Sequence, residues 1–181
     1  MNYHKIEKTS IANGSGIRVV LWCAGCRVHC YNCHNPQTWD VNSGKLFDEL
    51  AKQELFEALS KPYIKGITFS GGHPLEDENV KEVYSLIVEI RNQLPNKDIW
   101  LYTGFTWNQI FYPVVTDNLD IERDIVLDLR KKIVEMCDVV VDGPYIESQR
   151  DITLAFIGSK NQRLIDVKKT LEQKEIALLD E

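Results

Sequence analysis

The chain has 181 residues, 44% apolar and 27% charged, enough for one domain with a substantial core. A net charge of −6 and an isoelectric point near 5.3 argue against nucleic acid or an anionic membrane as the main partner. No apolar run approaches the roughly 20 residues of a membrane span. The opening "MNYHKIEKTSIANG" has neither an apolar signal core nor a cleavage site, which points to the cytoplasm.

No repeat, low-complexity tract or Pro/Gly/Ser-rich linker divides the chain. "IRVVLWC" (17–23) suits a buried strand. A helix is predicted over 46–60, with Phe47, Leu50, Ala51, Leu55, Ala58 and Leu59 at helical spacing. "GITFS" (66–70) reads as a short strand running into a double glycine. A second helix, about Glu78 to Leu94, has a stripe of Val80, Val83, Tyr84, Ile87, Ile90 and Leu94, and Pro95 stops it.

"DIWLYTG" (98–104) is another buried strand. A polar and aromatic connection leads to a helix near 121–136, with Ile125, Leu129, Ile133 and Met136 on one face. "CDVVVDGPY" (137–145) ends a strand in Asp-Gly-Pro. The tail "TLAFIGSKNQRLIDV" holds one or two further strands before a charged helix around 166–177.

Strands alternating with helices across crossovers of about 20–40 residues indicate parallel βαβ units. Three strands end in the glycine turns "SGG", "YTG" and "VDG", and ligands of such sheets sit at the strands' carboxyl ends. These turns and the cysteine loop after residue 23 are therefore expected on one rim. The chain is shorter than the roughly 250 residues of a full eight-unit barrel, so the predicted fold is α/β, a partial, open (βα) barrel with parallel strands.

Four of the five cysteines lie in "LWCAGCRVHCYNCHNP" (21–36). In a reducing compartment clustered thiols bind metal more readily than they form disulfides, and an odd count with Cys137 far away agrees. Zinc sites usually separate two cysteine pairs by about 12–20 residues. Here all four thiols share an eleven-residue stretch, a spacing that reaches a cubane more readily than a tetrahedral point. Cys23 continues the strand pattern with Val19 and Leu21, as a small buried hydrophobe would. Without it C-x3-C-x2-C remains: Cys26, Cys30 and Cys33. Three thiolates on a 4Fe-4S cluster leave one iron without a protein ligand, open to the amino and carboxylate groups of S-adenosylmethionine. A zinc module or a four-cysteine electron carrier would instead enlist Cys23.

"GCRVHCYNCHN" resembles the cluster loop of radical S-adenosylmethionine enzymes. "NGSGIRVVLWCAGCRVHCYNCHNPQTWDVNSG" is similar to the opening of glycyl-radical-enzyme activases. "ITFSGGHPL", "DIWLYTGF", "VDGPY" and "IGSKNQR" resemble successive blocks of the branch acting on anaerobic ribonucleoside-triphosphate reductase. The "CHN" and "TWD" segments are shared with activases of pyruvate formate-lyase.

The resemblance covers residues 1 to about 166 and leaves 167–181 as a charged C-terminal helix or tail. It is weakest near 106–121. It implies a radical-SAM partial barrel and an activity that moves a hydrogen atom from a backbone glycine of the reductase to an adenosyl radical. The implied cofactors are a 4Fe-4S cluster on Cys26, Cys30 and Cys33, and S-adenosylmethionine. Implied partners are the large reductase subunit, an electron donor such as flavodoxin, and a second copy in a homodimer.

The expected cofactor contacts are Asn32, Cys33 and His34, whose backbone meets the adenine, and Gly71 and Gly72, whose missing side chains let carbonyls approach an ammonium group. His73 stands where the family usually has an acidic residue. A neutral imidazole supplies no charge there, so weaker or more pH-sensitive cofactor binding is expected unless another carboxylate compensates. Asp142, before Gly-Pro on the rim, is a candidate cofactor or partner contact. Arg18 and Thr103 read as rim or turn residues, His29 as locally packed. Ile157 replaces the arginine usual before the "GS.NQR" pattern.

Overall fold

A computed structural model describes residues 1–114 and 120–179. Seven strands, β1 (Asn2–Ser10), β2 (Arg18–Cys23), β3 (Lys45–Leu46), β4 (Gly66–Gly71), β5 (Asp98–Tyr102), β6 (Val139–Asp142) and β7 (Arg163–Asp166), form one open sheet. Its order is β3-β1-β2-β4-β5-β6-β7. The central β2, β4, β5 and β6 are parallel, as the βαβ pattern predicted. The flanks are antiparallel, which corrects the expectation of parallel strands throughout. Seven residues join β1 to β2, too few for the crossover a parallel pair requires.

Helices α1 (Glu49–Leu59), α2 (Val80–Gln93), α3 (Trp107–Phe111), α4 (Ile121–Glu135) and α5 (Val167–Gln173) complete the fold. One sheet face, with Val19, Leu21, Cys23, Ile67, Phe69, Ile99, Leu101 and Val140, packs against apolar residues of α1, α2 and α4. On the other, Trp100, Val139, Val141 and Leu164 meet Tyr102, Phe156 and Ile157. Strand side chains alternate between these faces, so parallel strands covered on both sides read as continuous apolar runs.

Local signals set the helix ends. Asp48, Asp120 and Asp166 each cap a helix by accepting a backbone N–H, that of Ala51, Arg123 and Lys169 respectively. Thr106 and Gln109 form a reciprocal capping box on α3, a short helix within the polar and aromatic connection. Residues 115–119 of that connection, and 180–181 of the tail, lie outside the described residues.

Two further expectations are corrected. Leu50, placed on the buried stripe of the first helix, is 74% exposed, and Ile125 is half-exposed. The tail forms one strand, β7, within the one or two expected there, and Ser159 adds an isolated bridge to Arg150. Arg18 is no rim residue. It is wholly buried at the amino end of β2, paired with Asp98 Oδ1 at 2.6 Å and donating to Thr68 Oγ1 and the Ile67 carbonyl, both at 2.8 Å.

Candidate functional site

The four parallel strands deliver their carboxyl ends to one rim, and backbone hydrogen bonds fasten the following loops together. Cys23 lies opposite Gly71 in the β2–β4 register. The Gly72 N–H donates to the Cys23 carbonyl (2.8 Å) and the His73 N–H to that of Gly25 (2.7 Å). On its other side the loop is held by Gly25 N–H to Thr38 O (2.8 Å) and Cys26 N–H to Trp39 O (3.0 Å). A Cβ on Gly72 would lie 2.5 Å from the Gly25 oxygen. Gly71, at φ +98, would bring one within 2.8 Å of the Cys23 nitrogen. Both glycines are thus required by the approach of one backbone to another.

Cys26, Cys30 and Cys33 are free, partly exposed thiols on this stitched loop. His29 (φ 49) and Asn32 (φ 56), each immediately before a cysteine, adopt the left-handed conformation that His and Asn tolerate better than most residues. Each sulfur meets a backbone group. Asn35 N–H donates to Cys33 Sγ at 3.4 Å. Partial burial pushes the Cys26 thiol up while the backbone of Val28 and His29 counteracts it by hydrogen bonding. At Cys30 burial again raises the pKa, and the Tyr145 backbone opposes it. Such donors stabilise thiolates, the form that binds metal.

Cys23 differs. It is sealed among core residues, and burial pushes its thiol up to about 12. Cys137 is buried too and donates to the Ile133 carbonyl. Among the described residues no three His, Cys, Asp or Glu side chains converge as ligands of a single ion. Thiols with backbone donors beside them are the donor type that iron–sulfur clusters take.

The other predicted residues fall into two groups. Asn32 and His34 are exposed on the cysteine loop, with the His34 ring 5.8 Å from that of Tyr145. His29 stacks on Trp39 at 4.5 Å, the local packing expected. Gly71, Gly72 and His73 adjoin the loop. His73, however, is buried, with Nδ1 3.2 Å from Glu76 Oε1 and Nε2 2.7 Å from Thr103 Oγ1. Asp142 is buried with both carboxylate oxygens engaged: Oδ1 accepts from Arg163 Nε (2.9 Å), Oδ2 from the Trp107 N–H (2.8 Å) and from Arg163 Nη2.

Sequence reasoning missed Arg27 and Glu76. Glu76 Oε1 accepts the Arg27 backbone N–H at 2.7 Å and Oε2 accepts Arg27 Nη1 at 2.5 Å, while the guanidinium also grips Glu78. Burial alone would raise the Glu76 carboxyl, but hydrogen bonds from His73 and Arg27 outweigh it and hold the pKa at about 2. A carboxylate three residues after His73 was the available signal. Glu76 also borders two openings beside the loop. One is a crevice of about 400 Å³ with Cys26, Trp39 and Val41; the other is a cleft of about 1130 Å³ lined by Val28, Phe105, Tyr112 and Arg130.

A family model described as a 4Fe-4S single cluster domain matches residues 12–165, from just before β2 into β7. The anaerobic ribonucleoside-triphosphate reductase-activating protein of Escherichia coli K12 is 34% identical over 164 residues, 90% of this chain and 96% of that protein. The chain belongs to this family of activating proteins. Its phage T4 member is 37% identical, across 91% of this chain and 93% of the relative, and the Haemophilus influenzae member 34%, across 90% and 96%. The cysteine loop, the glycine turn and all four parallel strands lie inside the span matched by the family model. Among the described residues no helix is long and apolar enough to cross a membrane.

Proposed function

We propose that this protein activates anaerobic ribonucleoside-triphosphate reductase by generating a glycyl radical on its large subunit. Cys26, Cys30 and Cys33 would hold a 4Fe-4S cluster and leave its fourth iron to S-adenosylmethionine. Such a cluster, when bound, would supply the electron for reductive cleavage of the sulfonium–carbon bond, the chemistry by which a hydrogen atom would be drawn from the glycine.

The chain's own residues do the remaining work. The turn at Gly71 and Gly72 holds the loop after β2 close to β4, so a cofactor's amino acid end bound at this turn would lie on the same rim as the thiols. Backbone at Asn32, Cys33 and His34 is the candidate adenine contact. Asp142 braces Arg163 against the start of α3, and so shapes the wall beside any bound cofactor. The cleft beside Arg27 and Val28 is the route by which a glycine-bearing segment would approach.

An open sheet with its helices packed on one face is consistent with a radical-SAM partial barrel over residues 1–166, with 167–181 as a C-terminal helix or tail. The reading further entails an oxidoreductase of the cytoplasm, a low-potential donor such as flavodoxin, and a homodimer.

One observation carries the proposal: three accessible thiols share a loop on which each sulfur meets a backbone donor, while Cys23 is locked in the core. The test is anaerobic purification, reduction with S-adenosylmethionine present and assay for 5′-deoxyadenosine, followed by addition of the reductase and EPR for a glycyl signal. A colourless, iron-free protein, or a cluster lost on Cys23→Ala, would overturn it.

A further inference from the structure

We propose that His73 and Glu76 act as one positioning pair for the cysteine loop. The inference rests on the cluster-binding reading above. A ring at position 73 available to a ligand's ammonium group would need an unoccupied nitrogen. The His73 side chain is 2% exposed, both its nitrogens have protein partners, and Phe105 packs edge-to-face on it with ring centroids 4.4 Å apart.

The protons can be placed. Glu76 is ionised and can only accept, so His73 Nδ1–H donates to it. Nε2 therefore accepts from the Thr103 hydroxyl, whose oxygen accepts the Phe105 N–H at 3.1 Å. This assignment satisfies each member of the chain. It runs from the end of β5, through the turn after β4, to the loop after β2, and so ties together three of the four strand ends on the rim.

Its terminus is what matters for function. The Arg27 N–H that Glu76 receives belongs to the peptide bond with Cys26, so the carboxylate fixes the turn carrying the first thiolate. Arg27 Nη1 on the other oxygen makes the grip two-pronged, although that side chain is 60% exposed. The guanidinium is thus the replaceable contact and the peptide N–H the specific one. A negative charge also stands beside Cys26 in the adjoining crevice, where position 73 supplies none. Glu76 thus holds the loop, and the imidazole passes that hold on to β5.

If the two residues act as a pair, exchanging them should restore what either single change removes. His73→Asp places two carboxylates against each other in a buried site, and Glu76→His places two imidazoles there; His73→Asp/Glu76→His recreates an acid–imidazole bond in the reverse order. The experiment uses the full chain with its reconstituted cluster. It compares the rate of iron loss to a chelator and the EPR spectrum of the reduced cluster, with the thermal midpoint as a folding control. Each single variant is expected to lose iron at least tenfold faster and to shift the EPR g-values, and the double variant to return within threefold of the parent. A double variant no better than the singles, or Glu76→Ala with parental iron loss and spectrum, overturns the pair. S-adenosylmethionine is then added to all forms. If the parent holds iron but leaves its spectrum unchanged, the activase reading fails while the iron-loss comparison still decides the role of the pair.

Discussion

The two ends of the parallel strands use polar groups in opposite ways. At the amino ends, Arg18 is wholly buried, and its donors are taken up by Asp98, Thr68 and the carbonyls of Ser15 and Ile67, with its guanidinium 5.1 Å from the Trp100 ring. At the carboxyl ends, Glu76, His73 and Thr103 are equally buried, but their hydrogen bonds lead to a loop whose three thiols remain accessible. A polar network that closes on itself fastens the sheet; one that ends on the peptide N–H next to Cys26 fixes the turn that carries an accessible thiol. Burial alone does not distinguish architecture from a site. What the last member of the network touches does.

The largest expected effect would break this comparison outright. Cys26→Ala, Cys30→Ala or Cys33→Ala should each bring cluster iron close to zero and abolish 5′-deoxyadenosine formation, while Cys23→Ala keeps both, as iron analysis and product chromatography would record. Equal iron loss in all four variants would make the core cysteine a ligand and erase the distinction between ends. Next comes the opposite end. Asp98→Ala strands the Arg18 charge in the core, a change that typically costs about 3–5 kcal/mol. The urea midpoint of the apo chain should fall accordingly. A loss below about 1 kcal/mol would mean that water reaches the guanidinium once its partner is gone.

How much of this was legible follows from the range of each interaction. The four parallel strands were readable because burial on both faces makes them continuous apolar runs that stop at glycine turns. The cysteine loop was readable because its chemistry is local. Strand β1 was not: its charged residues Lys5, Glu7 and Lys8 interrupt any apolar alternation, and it is held by pairing with β2 rather than by its own pattern. Leu50 shows the converse, since helical spacing placed it on a stripe that the packing of α1 leaves in solvent. Arg18 and Glu76 were invisible for a shared reason. Their partners Thr68 and Arg27 lie 50 and 49 residues away, and nothing in local composition announces such a bond.

A smaller perturbation would sharpen the comparison at the seam between sheet and loop. Gly72→Ala drives a Cβ to 2.5 Å from the Gly25 carbonyl oxygen, and backbone cannot retreat as a side chain can. Overpacking of this kind costs about 1–3 kcal/mol. The strain falls on the Gly25–Cys26 segment, so iron retention should suffer more than the urea midpoint does. If stability falls and iron stays, the seam is architecture like the Arg18 end.

The smallest expected effect is a dependence on pH that belongs to the rim alone. Burial lowers the His73 pKa, and Arg130 adds to this, while the hydrogen bond and charge of Glu76 and the charge of Asp77 pull it the other way; burial wins. A lowered folded-state value means that the unfolded chain takes up the proton first. The neutral ring's contribution is therefore complete above the unfolded value of about 6.5 and is lost as pH falls below it. Glu76 adds a second loss further down, between its unfolded value of about 4.3 and its folded value of about 2. Urea midpoints measured from pH 7.5 to 5.5 should thus decline for the parent and stay flatter for His73→Gln. None of the chain's four histidines contacts Arg18, so Asp98→Ala should lower the whole curve and leave the contrast between an imidazole and a glutamine at position 73 in place. Parallel curves for the parent and His73→Gln would show that the imidazole keeps its ordinary affinity for the proton, and the buried network assigned to the rim would have to be abandoned.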